Sequence, residues 1–306
     1  MLQRTATPTE AELKAFFERY IPSARAAYAH ASTIPQYDQG LVQQFSNLSV
    51  ADVIGAASQD FRIDDKLPHH IFVILPGKTR SEHVIKFASR YFAHTLVANV
   101  KAAKVANAAS ALYQVFSRNA RTRGAAGQLL DCVARDIFTR SDVWTIREME
   151  RSLYGGPKNQ HWKIQPSSTH VDKYLITGHP DHLPVWVSDE RPPKDVVLQR
   201  IETYLLPSTG RITLRTGYWV PDSATEATFD SFYYEANEKR ATVLQLTVSN
   251  SHSMNVKGLK RLRDLGVKSV CYVAVSGPQE DFDLPVPHEY SNFLSEKYLL
   301  VLESLT

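Results

Sequence analysis

The stretch 228–250, TFDSFYYEANEKRATVLQLTVSN, decides how this chain is read. Two aromatic and β-branched runs flank the polar segment EANEKR, a pattern that predicts an antiparallel β-hairpin. Side chains alternate along a strand, so Val243, Gln245 and Thr247 point one way and Leu244, Leu246 and Val248 the other. One face reads as core and the other as polar. On the preceding strand Asp230, Phe232 and Tyr234 share a face, and hairpin pairing brings Asp230 beside Gln245 or Thr247. These residues leave two readings open. In the first, Asp230 is a turn former at a strand start and Gln245 a polar residue of an edge strand. In the second, a carboxylate beside an amide oxygen forms a set of hard oxygen donors of the kind Mg²⁺ takes. Such an ion polarises a phosphate and lowers the pKa of a bound water.

Downstream, His252 precedes NVKGLKRLRDLG (255–266), whose periodicity predicts an amphipathic helix from Asn255 to Leu265. Lys257, Lys260, Arg261 and Arg263 make it basic, either as a solvated face or as a grip on phosphates. KSVCYVAV (268–275) then reads as a strand. Upstream lie the strand-like VWTIREM and HVDKYLI, a helix-like DVVLQRIETYL (195–205) and RITLRTGYWV. Strands and helices alternate only partly, so the fold class is α/β, mixed α+β, with a central mixed sheet.

The amino-terminal part reads as mainly helical. Thr7, Pro8 and Glu10 suggest a capping box that opens a first helix, and Ser49 and Asp52 introduce a second at VADVIGAA. HHIFVIL (69–75) reads as a buried strand. No glycine or proline occurs from Lys78 to Arg123, and the apolar stripe Val84, Ala88, Tyr91, Phe92, Leu96 predicts two helices there. ILPGKTR (74–80) has the context of a phosphate-binding loop but not its spacing, since Phe72 stands where the first glycine is needed. It reads as a strand-to-helix turn capped by Ser81. Arg118, Arg121 and Arg123 gather before Gly124, which begins a new helix, GAAGQLLDCVARDIF. The domain boundary is placed here, giving domains 1–120 and 121–306.

The chain has 306 residues, 43% hydrophobic and 22% charged, with a formal charge of +3, which permits a nucleic-acid partner without requiring one. Cys132 and Cys271 sit far apart in apolar runs, which argues against a disulfide framework or a cysteine zinc site and suits a reducing compartment. His161, His170, His179 and His182 share a loop-rich region, but Pro180 makes a turn of HPDH, and they read as surface histidines. The first residues lack the apolar core of a secretory signal, and no run approaches the roughly 20 apolar residues of a membrane span.

Taken in order, these segments resemble the restriction-endonuclease-like nuclease domain of crinkler effectors and retrotransposon-hot-spot proteins of oomycetes, fungi and trypanosomes. In that family a glycine-led helix carries an acidic residue. An aromatic-proline segment then precedes a strand with an aspartate, the next strand bears Q-x-T, and a histidine follows. Here GQLLD supplies Asp131 in place of the more usual glutamate, GYWVP the aromatic-proline segment and FDSFYY Asp230, while LQLTVSNSH supplies Gln245, Thr247 and His252. The resemblance runs from about Gly124 to Val275. HHIFVILPG and FASRYFAHTL resemble the end of the P-loop ATPase module that often precedes this domain, with both Walker segments missing.

The resemblance implies a central mixed sheet flanked by helices and Mg²⁺- or Mn²⁺-dependent cleavage of DNA without sequence preference. It places the action in a cytoplasm or nucleus, often of a host cell after secretion. It also implies site roles: Asp230, Gln245 and Asp131 as metal ligands, and His252 or Lys257 orienting water or supplying positive charge. Arg118, Arg121, Arg123, Lys260, Arg261 and Arg263 contact nucleic acid, and the amino-terminal domain serves as a scaffold or partner-binding piece. Thr247 stands where the wider nuclease pattern has lysine and Gln245 where it has an acid. The alternative is therefore a pseudonuclease that binds nucleic acid or protein without chemistry.

Overall fold

Thr9, rather than Thr7, starts the first helix: its hydroxyl accepts the Glu12 N–H while the Glu12 carboxylate accepts the Thr9 N–H at 2.7 Å. The reciprocal bonds need a spacing of three, which Thr9 and Glu12 have, and Pro8 stays outside the helix. The computed structural model of the chain describes residues 7–20, 23–46, 51–53, 71–77, 82–102, 108–137, 142–153, 156, 158–164, 173–178, 196–199, 203–207, 210, 212–221, 228–277 and 281–302. It divides into two compact units, Met1–Val133 and Ala134–Glu303.

The first unit contains α1 (Glu10–Arg19), α2 (Ala24–His30), α3 (Ile34–Ser46), a hairpin of β1 (Phe72–Pro76) and β2 (His83–Phe87), α4 (Arg90–Ala102), α5 (Ala108–Arg118) and the start of α6 (Arg123–Ile137). Phe16 and Tyr20 of α1 pack with Tyr37, Tyr91 and Phe92, ring centroids 4.7–6.2 Å apart. The Arg19 guanidinium lies over Tyr91 and pairs with Asp38 at 2.6 Å, which also accepts the Tyr20 hydroxyl.

Two expectations fail here. The 69–75 run does not form a buried strand: among the described residues β1 pairs with β2 alone, and Ile74 and Leu75 are exposed. The stretch after Lys78 opens with β2 rather than a helix, so ILPGKTR leads from strand to strand and not into a helix. The β-branched Val84 and Ile85 favour the strand. Ser81, Ser49 and residues 54–57 lie outside the described residues, while 51–53 are helical. Gln128 of α6 locks the hairpin, accepting the Phe87 N–H at 2.7 Å and donating to the Phe87 carbonyl at 3.0 Å.

The second unit is built on a nine-stranded sheet in the order β7-β6-β3-β14-β12-β11-β10-β9-β8. Its strands are β3 (Asp142–Glu148), β6 (Lys173–Gly178), β7 (Val196–Gln199), β8 (Thr203–Leu206), β9 (Gly217–Pro221), β10 (Ser231–Glu235), β11 (Arg240–Thr247), β12 (Ser269–Ser276) and β14 (Leu294–Val301). A small sheet joins β4 (Glu150–Arg151), β5 (Asn159–Lys163) and β13 (Asp283–Pro287). The mixed sheet agrees with the expected class: β9, β10 and β11 run antiparallel, then α7 (Val256–Asp264) crosses over to β12, parallel to β11. Asn255 caps α7, and Leu259 and Leu262 pack it onto Phe232, Val243 and Tyr272.

DVVLQRIETYL is not a helix. Its described residues form β7 and β8, where β-branched Val196, Val197 and Thr203 suit an extended backbone. The expected division of β11 into a core face and a polar face also fails: Val243 and Leu244, on opposite faces, are both fully buried. β11 sits inside the sheet between β10 and the parallel β12, and central strands of such sheets are covered on both sides.

Candidate functional site

The hairpin register pairs Ser231 with Leu244, so Asp230 falls opposite Gln245. The Asp230 N–H donates to the Leu244 carbonyl at 3.0 Å and fixes that register. The Asp230 carboxylate oxygen Oδ2 accepts two N–H groups, from Gln245 Nε2 at 2.8 Å and from the Leu246 backbone at 2.7 Å. Gln245 Nε2 also donates to the Leu246 carbonyl at 3.1 Å. Turning the amide over would set its oxygen against a carboxylate and a carbonyl, so these acceptors decide its orientation. Gln245 Oε1 consequently faces the interior, buried and without a hydrogen-bond partner.

More polar groups collect on the same face. The parallel register sets Gln245 beside Ala274 and Thr247 beside Ser276, and alternation along β12 puts Tyr272 on that face too. The Tyr272 hydroxyl and Ser276 Oγ are buried and unpartnered, as is His252 Nε2 in the segment that leaves β11. Burial pushes the Tyr272 phenol well above its usual range, with the Asp230 charge adding to the effect. Burial also lowers the His252 pKa, so its imidazole is neutral at pH 7. Buried polar atoms normally find partners, and four unpartnered ones on two adjacent strands and the segment that leaves one of them are what a ligand-binding site carries. They lie toward the carboxyl ends of β11 and β12, where open α/β sheets bind ligands.

Asp230 and Gln245 are thus brought together as the sequence predicts. Asp131 belongs to the other unit, on α6, where its carboxylate lies 3.3 Å from Arg90 Nε. Thr247 closes a local turn: its hydroxyl accepts the Ser249 N–H at 3.1 Å. Lys257 and Lys260 are exposed on α7. Arg261 donates to the Pro207 carbonyl, and the Arg263 guanidinium lies over the Tyr290 ring, 5.1 Å from its centre. Arg118, Arg121 and Arg123 are exposed in the first unit. Among the described residues no three His, Cys, Asp or Glu side chains form a group able to hold a metal.

No protein-family model, curated protein or solved structure matches the chain. The geometry therefore stands alone.

Two features escaped the sequence reading. Tyr272 reads only as part of the strand KSVCYVAV and Ser276 lies just past it, and pairing that strand in parallel with LQLTV sets them opposite Val243 and Thr247, on either side of Gln245 on one face. His161 reads from the sequence as a surface histidine, whereas its Nδ1 lies 3.0 Å from the Asp283 carboxylate and ties β5 to β13. Asp283 in turn exchanges backbone bonds with Asn250 and His252, anchoring the segment after β11. His170, His179 and His182 lie outside the described residues.

Proposed function

We propose that Ala134–Glu303 is a nuclease-like domain of the crinkler and retrotransposon-hot-spot type, with a restriction-endonuclease-like core, acting on DNA. The observation that carries this reading is the meeting of Asp230 and Gln245 at the strand ends, where the Gln245 amide nitrogen donates to the Asp230 carboxylate at 2.8 Å and its amide oxygen is left buried and unpartnered. The chain order of an aspartate strand, a Q-x-T strand, a histidine and a basic helix supports it, as does the crossover that packs α7 on the same face.

The donor set fits a hard divalent cation such as Mg²⁺ or Mn²⁺: Asp230 and Gln245 Oε1 would hold it, with a single negative charge between them. When bound, such an ion polarises a phosphate and lowers the pKa of a coordinated water. The chain's own groups do the rest. The Leu246 N–H holds the Asp230 carboxylate in place. Neutral His252 offers its unpartnered Nε2 as a proton acceptor. Lys257 and Lys260 bind backbone phosphates, as do the arginines at 118, 121 and 123.

A second reading, a pseudonuclease that binds without cleaving, is favoured by the Gln245 amide nitrogen already occupying Asp230 Oδ2. One experiment separates them: plasmid and oligonucleotide cleavage with Mg²⁺ or Mn²⁺. Cleavage that falls roughly 1,000-fold in Asp230→Ala supports the first. No cleavage with either ion, together with DNA binding unchanged in Asp230→Ala, establishes the second.

A further inference from the structure

The β8 end of the nine-stranded sheet carries a groove of about 660 Å³. β8 is its last described strand. The wall is Tyr204, half-buried and backed by the buried Trp219 with ring centroids 4.7 Å apart, continued by Ile212 and Pro207. Trp219 donates its indole N–H to the Arg215 carbonyl at 3.0 Å, which folds 212–215 along the groove and satisfies the ring's one polar atom. Thr213 and the exposed Arg215 supply the polar lining, and among the described residues no lining residue is acidic.

Position and charge narrow the occupant. Trp219 pairs with Phe232 and with Tyr204, and Phe232 lies two residues beyond Asp230 on the same face. Two strand spacings across and two residues along put Tyr204 about 12 Å from Asp230 by strand geometry. The basic helix α7 reaches the rim, where Arg261 donates to the carbonyl of Pro207, a groove residue. The ligand this combination recognises has a flat, weakly polar face for the aromatic and aliphatic wall and a phosphate for Arg215. A nucleotide with its base unpaired has both, and the volume holds a single one comfortably. A base inside a duplex does not, because both of its faces are stacked.

We propose that this groove binds an unpaired base of the strand that crosses Asp230 and Gln245, which makes single-stranded DNA the preferred ligand of the domain. The inference rests on the nucleic-acid reading above but not on catalysis.

Fluorescence anisotropy of the full chain in EDTA, with a 12-nucleotide single strand and the matching duplex, tests it without metal or cleavage. The single strand is expected to bind at least ten-fold more tightly. Tyr204→Ala is expected to lose roughly 5- to 150-fold of that affinity, while Tyr204→Phe stays within about two-fold because it keeps the π-face, and neither variant changes duplex binding. A strand carrying 5-iodouracil, irradiated on the unaltered protein, should crosslink within 203–219, which decides the matter even where Tyr204→Ala does not fold. Equal affinity for single strand and duplex, or crosslinks confined to other peptides, overturns the groove. Absence of cleavage with the crosslink intact overturns only the catalytic reading and leaves the groove supported.

Discussion

Lys297 and Gln245 lie on the same face of the same sheet and are buried almost equally, at 3% and 7% exposure, yet one is satisfied and the other is not. The Lys297 ammonium sits 3.8 Å from the centre of the Trp162 ring and donates to the Leu294 carbonyl. Its burial is architecture: aromatic face and carbonyl replace water. Gln245 spends its nitrogen on Asp230 and Leu246 and leaves its oxygen with nothing, next to the unpartnered hydroxyls of Tyr272 and Ser276. A buried polar residue is therefore a poor marker of function by itself. Whether its bonds close locally separates the two sites.

The sharpest way to break this contrast is Gln245→Glu, which replaces the amide donor with a second carboxylate against Asp230. In EDTA the variant is expected to lose about 2–4 kcal/mol of stability through the lost hydrogen bond and like-charge repulsion. Millimolar Mg²⁺ should raise its melting temperature by several degrees while leaving the unaltered protein nearly unmoved. A variant as stable as the parent, with no response to Mg²⁺, would show that the oxygens at 230 and 245 do not converge on one cation.

The satisfied site makes an opposite prediction. Burial lowers the Lys297 pKa from 10.5 to about 8, partly opposed by Cys271, Glu148 and Glu296. Between those values the unfolded chain binds more protons than the folded one, so stability rises as pH goes from about 8 to 10.5 and is level below 8. Lys297→Met should flatten that slope and, near pH 7, gain about 1–2 kcal/mol, as removal of a buried charge from an apolar setting does. Urea titrations at pH 7.5 and 9.5 check it, and an undiminished slope in the variant would place the titration elsewhere.

Tyr272→Phe probes the unsatisfied site gently. Deleting a buried hydroxyl with no partner should stabilise the fold by about 1 kcal/mol, measurable by urea denaturation. A loss instead would show that the hydroxyl is bonded in solution. The smallest effect concerns the helix: Lys257→Glu with Lys260→Glu should make the slope of log affinity against log salt shallower by about 2 if both contact phosphates. An unaltered slope would return α7 to the status of a solvated face.

Several elements were legible without coordinates because their information is local. The hairpin of β10 and β11, the meeting of Asp230 with the polar residues of β11, and the extent of α7 to within one residue at each end all follow from side-chain period. At β2, β7 and β8 the sequence pattern reads as helix and at β1 as a buried strand, and the structure differs at each. Short apolar runs of four or five residues carry too little period to tell the two apart, and their burial depends on partners far along the chain. Alternation likewise promised β11 one polar face, and the parallel partner β12, which sets Ala274 beside Gln245 from 29 residues along the chain, is invisible to any local pattern.

The sequence alone thus determined that Asp230 meets the polar residues of the next strand, Gln245 or Thr247, since two adjacent strands are tied by the turn between them. Only the tertiary structure decided that Asp230 faces Gln245, that the Gln245 nitrogen rather than its oxygen reaches it, that Tyr272 and Ser276 join them, and that Thr247 closes a local turn. The physical reason is that hydrogen-bond partners across a sheet and the direction of an amide depend on which groups are brought together from afar, and composition and periodicity carry no record of that.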